Sequence, residues 1–206
     1  RNIKFIPPLV EALEKEAIPP RNLRGYSFYD SGAFRQSQLL WRLTKMGKLN
    51  GDEIKEVFKN IPQKGNFERG GKTWANTLTE YEDISLTQFP RHLFPEAFME
   101  KLNNFPHSYH LLRDTSQSFW YYWKKHQEKM FFMKPNVTMG TVHSVKGKEA
   151  PIVILFNNMS YGSQKNWQIN PEAERRVFYT GITRTKERLY LICSQGDGFP
   201  LWSIRK

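Results

Sequence analysis

The sequence predicts an α/β fold, a parallel sheet flanked by helices and interrupted by a mostly helical insertion. Three observations predict it. After Lys134-Pro135 the pattern switches to strands, with apolar runs at Ile152 to Phe156 and Leu189 to Cys193. Between those runs, Glu172 to Thr183 carries Ala173, Val177, Gly181 and Ile182 at helical spacing, so strand, helix and strand follow one another. From about Asn66 to Met130 the period is helical and no strand is convincing.

The elements follow in chain order. Pro7-Pro8 opens a helical pattern with Leu9 and Leu13 on one face, and Pro19-Pro20 closes it. A short extended piece, Asn22 to Gly25, leads into the aromatic turn Tyr26 to Asp30. A second helix covers Phe34 to Lys45. A third starts near Asp52, where Ile54, Val57, Phe58 and Ile61 recur at i, i+3, i+4 and i+7. In the insertion, Phe94, Ala97, Phe98, Leu102 and Phe105 suit one amphipathic helix, and Phe119, Tyr122, Trp123, His126 and Met130 suit another. Val137 to Val142 is extended, and Ile152 to Phe156 reads as a buried strand. The expected domains are therefore 1–65 with 132–206, interrupted by an insertion at 66–131.

Apolar residues make up 39% of the 206 and aromatics 15%, enough for a packed core and against wholesale disorder. The longest aliphatic and aromatic run, Ile152 to Phe156, is far too short to span a bilayer, so no membrane partner is expected. The residues from Arg1 to Lys4 show no apolar signal region. Cys193 is the only cysteine, which excludes an intrachain disulfide and leaves too few thiolates for a structural zinc site. The simplest address is a reducing one, the cytoplasm or a nucleus. Lys and Arg total 31 against 20 Asp and Glu, a net charge of +11 that favours polyanions, nucleic acid above all. An ordinary basic surface has the same charge, so charge alone decides nothing.

Two segments carry chemistry. In Thr141-Val142-His143-Ser144-Val145-Lys146-Gly147-Lys148-Glu149, a strand end with hydroxyls meets a Lys-Gly turn, which suits an anion. His143 could equally be a structural strand-end residue, and Glu149 an ordinary surface carboxylate. In the segment from Glu172 to Arg188, Arg184 follows a helix and precedes a strand, where a guanidinium can be held rigidly against phosphate oxygens. The same segment reads as a solvated helix with i, i+4 ion pairs such as Glu172 with Arg176.

The first segment, T-V-H-S-V-K-G-K-E before an apolar strand, resembles motif V of the UvrD-like superfamily 1 DNA helicases. The second, E-A-E-R-R-V-F-Y-T-G-I-T-R-T-K-E-R-L-Y-L, resembles their motif VI. Leu9 to Leu13, Ile18-Pro19, Gly25 and Phe28-Tyr29-Asp30 follow the stretch that begins at motif IV, and Ile61 to Gly65 resembles the connection before the accessory insertion. The resemblance covers about two thirds of the chain. It implies the second RecA-like domain of a two-domain motor of the P-loop NTPase type. ATP with Mg2+ would bind between the two motor domains, the ion held mainly by a first domain absent from this sequence. Single-stranded DNA or a duplex junction is the implied substrate, with 3′-to-5′ polarity. The resemblance makes Arg184 the arginine finger and Arg1 a second phosphate-contacting arginine; the residue expected to stack on the base just before Arg1 is absent. It sets Glu149 on the ribose with Gly147 along that edge of the cleft, and turns Thr141 and His143 toward DNA. Thr185 stands where the family often has Ala.

Two further features compete for attention. Gly70-Gly71-Lys72-Thr73 imitates the end of a P-loop, but the first required glycine falls on Asn66 and no buried strand precedes it. No Walker B carboxylate pair follows an apolar strand, since Glu82-Asp83 sits in a polar stretch. The chain is therefore expected not to hydrolyse ATP alone. Aromatics and bases interleave from Phe119 to Lys125; Phe119, Tyr122 and Trp123 suit a core, and Trp120 with Lys124 suits exposure and base stacking. An alternative is a non-catalytic nucleic-acid-binding or regulatory module with a decayed motor fold, against which intact Arg184, Glu149 and Lys146 argue. A helicase–nuclease subunit would need a carboxylate cluster after motif VI.

Overall fold

Pro7 and Pro8 stand in the first turn of helix α1 (Ile6–Lys15), where a missing N–H leaves no intrahelical bond unmade. The helix closes before Pro19: Ala17 takes φ +50° and the Ile18 N–H reaches back to the Leu13 carbonyl at 2.8 Å. The computed structural model describes residues 6–22, 27–193 and 198–199. They divide into two compact units, an α/β unit from residues 6–12, 21–22, 137–193 and 198–199, and a helical unit from 13–20 and 27–136.

The helical unit is built on capped helices. Helix α2 (Gly32–Lys45) starts at Ser31, whose hydroxyl accepts from the Phe34 N–H. Strand β2 (Lys48–Asn50) runs into α3 (Gly51–Asn60) through a reciprocal cap between Asn50 and Glu53. Helix α4 (Gly71–Thr77), strand β3 (Asp83–Ser85), α5 (Glu96–Asn103) and α6 (Gln117–His126) follow. Strand β3 pairs antiparallel with β2, Leu49 opposite Ile84, so the segment from 66 onward does contain a strand. Three residues with one apolar position are too short to show alternation in the sequence.

The core of this unit differs from the sequence expectation in its extent. Leu39, Leu43, Ile54 and Phe58 of α2 and α3 are fully buried in the same cluster as Phe94, Phe98, Phe119 and Tyr122. The compact helical unit thus takes in 27–65, which the sequence assigns to the other domain. Periodicity reveals that a helix has a buried face but not what covers it. The end of α1 joins the same unit, because Tyr122 donates to the Ile18 carbonyl at 3.1 Å and His126 bonds the Ala17 carbonyl at 2.8 Å. Buried Glu14 accepts from the Phe28 N–H and the Ser118 hydroxyl.

In the α/β unit, β5 (Ala150–Phe156) pairs parallel with β6 (Thr185–Ile192), with Val153 opposite Leu189 and Phe156 opposite Ile192. The connection runs through α7 (Tyr161–Ile169) and α8 (Pro171–Ile182), the latter capped by Asn170 with Pro171 in its first turn. Strands β1 (Pro20–Asn22) and β4 (Val137–Met139) make a separate pair, and β4 ends three residues before Val142. The inward face of α8 is carried chiefly by Glu174, Phe178 and Gly181. Glu174, almost fully buried, accepts from the Asn166 amide at 2.7 Å.

Strand β5 is not buried as its composition predicts. Ile152, Ile154 and Phe156 are 53%, 59% and 40% exposed, and Tyr190 and Ile192 on β6 are similarly open. The alternate residue Leu155 packs toward Gly181 of α8, but its partner Leu191 on β6 is itself 40% exposed, so α8 covers the strand pair only in part. Among the described residues no helix is long and apolar enough to cross a membrane.

Candidate functional site

The register of β5 and β6 assembles the candidate site. Ala150 stands opposite Thr185, and its N–H donates to the Arg184 carbonyl at 3.0 Å. The turn ending at Glu149 and the residue ending the α8 turn therefore meet at the amino-terminal edge of the strand pair. The Lys186 ammonium lies 3.2 Å from the Glu149 carboxylate across that edge.

Arg184 is half-buried against the end of α8. Its Nε donates to the Thr180 carbonyl at 3.1 Å and its Nη2 to the Thr183 hydroxyl at 3.3 Å. The first contact answers a carbonyl of the last turn of α8, and the cation suits that end of the helix dipole. Nη1 has no hydrogen bond among the described residues, so one arm of the fork is available. Gly147 holds φ +76° with open space where a Cβ would stand, a conformation only glycine adopts without strain. The segment Thr141 to Lys148 is a run of turns, with the Ser144 N–H on the Thr141 carbonyl at 2.9 Å and the Lys148 N–H on the Val145 carbonyl at 3.0 Å. Lys146, Lys148 and Lys186 are exposed here, and Glu149 is the carboxylate they surround in sequence and in pairing. A cationic edge with a bare glycine turn fits a polyphosphate, and a half-exposed carboxylate fits a sugar hydroxyl.

The other expected residues fall elsewhere. Thr141 and His143 line a cavity of about 380 Å³ within the α/β unit, shared with Ile154, Phe156, Ser163 and Glu174. His143 is exposed, and most of the lining is apolar. Trp120 belongs to the helical unit, half-buried, with its indole stacked on the His110 ring at 4.8 Å and Phe119 edge-on at 5.0 Å. Arg1 lies outside the described residues. The ion pair expected between Glu172 and Arg176 is present at 3.6 Å, on the exposed face of α8.

The P-loop imitation resolves as helix packing. Gly70 caps α4 in the left-handed region, and no strand leads into it. A Cβ on Gly71 would stand 2.6 Å from the Phe67 ring and 3.1 Å from Phe94, so aromatic packing requires that glycine. Sequence inspection missed Lys186 as the partner of Glu149, and Thr180 and Thr183 as the holders of Arg184. The helical spacing of Thr180 to Arg184 was the available signal for the second.

A family model described as UvrD-like helicase C-terminal domain matches residues 72–196, more than half of the chain and both segments of the candidate edge. No curated protein and no solved structure matches the chain.

Proposed function

Since this chain belongs to the UvrD-like helicase C-terminal domain family, we propose that it is the second RecA-like half of an ATP-driven translocase on single-stranded DNA. The observation that supports this best is the strand register that gathers Arg184, Gly147 and Glu149 at one edge. In this reading Arg184 turns its free arm to the γ-phosphate of ATP bound on a P-loop domain, and Arg1 adds a second phosphate contact. Glu149 accepts from the ribose, with Gly147 leaving room for the approach. ATP supplies the phosphoryl group, and Mg2+ rests mainly on the partner domain. Thr141 and His143 contact the strand from the α/β unit, and Trp120 offers the helical unit's stacking surface. The polarity, 3′ to 5′, is taken from the family.

The test is Arg184→Ala in a protein carrying both motor domains. An arginine on a departing γ-phosphoryl group is worth roughly 10³ to 10⁵ in turnover, while the P-loop domain supplies most ground-state affinity. DNA-stimulated hydrolysis and unwinding should be lost with ATP binding retained. Arg184→Lys should rescue little, because an ammonium cannot present a planar fork. Arg188 is exposed on β6 and bonds only the Tyr190 hydroxyl among the described residues, at 3.3 Å; Arg188→Ala should cost at most a few-fold. Normal turnover in Arg184→Ala with a lowered melting temperature would make Arg184 a helix cap and nothing more.

A further inference from the structure

The register between the two parallel strands is not uniform. Thr185 stands opposite Ala150, but Arg188 stands opposite Ile152, so Pro151 alone faces both Lys186 and Glu187. One extra residue has thus entered β6 beside the edge that carries Arg184 and Glu149. An irregularity of this kind bends its strand and re-aims the side chains next to it. Here it accompanies a Lys186 ammonium lying 3.2 Å from Oε2 of Glu149. Among the described residues no other cation pairs with that carboxylate, and its Oε1 makes no hydrogen bond.

Stability does not account for the pair. Both side chains are half-exposed, and an exposed ion pair contributes only roughly 0–1 kcal/mol. Its effect on geometry is larger. A lone surface carboxylate turns freely, whereas one whose first oxygen is tied to an ammonium points the second in a set direction. Both ends of the pair are anchored close to one backbone bond, since Glu149 precedes Ala150, whose N–H donates to the Arg184 carbonyl, and Lys186 follows shortly after Arg184. We infer that Lys186 is a positioning residue for the nucleotide sugar: it fixes Glu149 to accept from a ribose hydroxyl, and so gives the site a preference for ribonucleoside over deoxyribonucleoside triphosphates. The inference rests on the proposed nucleotide edge and adds to it the choice of sugar. A hydroxyl that meets a fixed, charged acceptor gains more than one that must first order a mobile side chain. A sugar lacking that hydroxyl leaves the carboxylate short of a partner in a closed cleft, which penalises the deoxy analogue.

The experiment compares affinities for ATP, 2′-deoxy-ATP and 3′-deoxy-ATP in a protein carrying both motor domains, by displacement of a fluorescent ATP analogue. Wild type should bind one deoxy analogue less well than ATP; equal binding of all three would overturn the inference at once. Lys186→Met, similar in length and uncharged, should weaken ATP by about fivefold, the scale of one hydrogen bond, and that analogue by less than about twofold. In turnover, KM for ATP should rise with kcat unchanged, since the sugar contact is the same in the ground and transition states. Lys186→Arg should restore the wild-type preference, which a damaged fold would not allow. Lys148→Met removes the same charge from the exposed turn before β5 and should weaken all three nucleotides alike. A preference lost equally in Lys148→Met would make the effect one of net charge and overturn the assignment. Glu149→Ala separates this inference from the reading beneath it. If Glu149→Ala loses the preference and Lys186→Met keeps it, the carboxylate needs no holder, and the inference falls while the nucleotide edge stands. If Glu149→Ala leaves ATP affinity unchanged, the nucleotide edge falls and the inference with it.

Discussion

At the scale of single residues, Gly71 shows how chemistry and packing can share a letter. In sequence it belongs to a phosphate-loop imitation, and in the fold it lets α4 start against the Phe67 and Phe94 rings. Gly71→Ala should destabilise the helical unit by about 1–3 kcal/mol, because both rings are wedged among other aromatics and cannot retreat freely. Chemical denaturation followed by aromatic fluorescence measures this, and an unchanged midpoint would show that the rings yield. Arg184 is the contrasting case. Its place after a helix and before a strand was legible, and the register with Ala150 confirms its position beside the Glu149 turn. The holding contacts from Thr180 and Thr183 were not, since they depend on how the last turn of α8 closes.

At the scale of elements, the helices with long apolar periods were legible, while α4, α7 and the extent of burial were not. The α3 pattern and its Asn50–Glu53 cap are local, so sequence carries them. Strand β5 has the composition of a strand buried on both faces, yet none of its residues is fully buried and α8 covers it only around Leu155. Composition records what a strand is fitted for, while exposure depends on neighbours. This gives β5 and β6 few buried contacts against which to protect their ladder. Amide hydrogen exchange should therefore be faster in Val153 to Leu155 than in Leu39 to Leu43 of α2, whose side chains are mostly fully buried. Equal protection in the two segments would mean that the open face is closed in solution.

At the scale of the molecule, apolar burial is unequally divided. Nearly all fully buried large side chains of the described residues lie in the helical unit, Phe199 being the exception among them. That unit also holds three tyrosines whose ionisation burial opposes. Burial pushes Tyr109 up to about 12, against a smaller opposite pull from the Ser116 N–H, and pushes Tyr29 and Tyr122 up further. Glu14 and Tyr29 add to the effect on Tyr122 through their negative charge. An unfolded tyrosine releases its proton near pH 10, so above that pH the unfolded chain binds fewer protons than the folded one and stability falls. The contribution is complete below pH 10 and is lost from pH 10 upward. The unfolding free energy should fall between pH 10 and 12, by up to about 1.4 kcal/mol per pH unit for each tyrosine that must ionise on unfolding, as read from denaturation curves. Tyr109→Phe should shallow that fall, and an unaltered slope would remove Tyr109 from the account.

The bare face of β5 and β6 has a colloidal consequence. Ile152, Ile154, Phe156, Tyr190 and Ile192 give the chain an adhesive patch, while its +11 charge makes two copies repel at a distance. Dilute buffer keeps that repulsion long-ranged, whereas added electrolyte shortens it to a few ångströms and leaves the attraction between apolar faces untouched. The chain on its own is thus most monodisperse in dilute electrolyte and clusters as electrolyte is added, the reverse of a protein whose self-association rests on ion pairs.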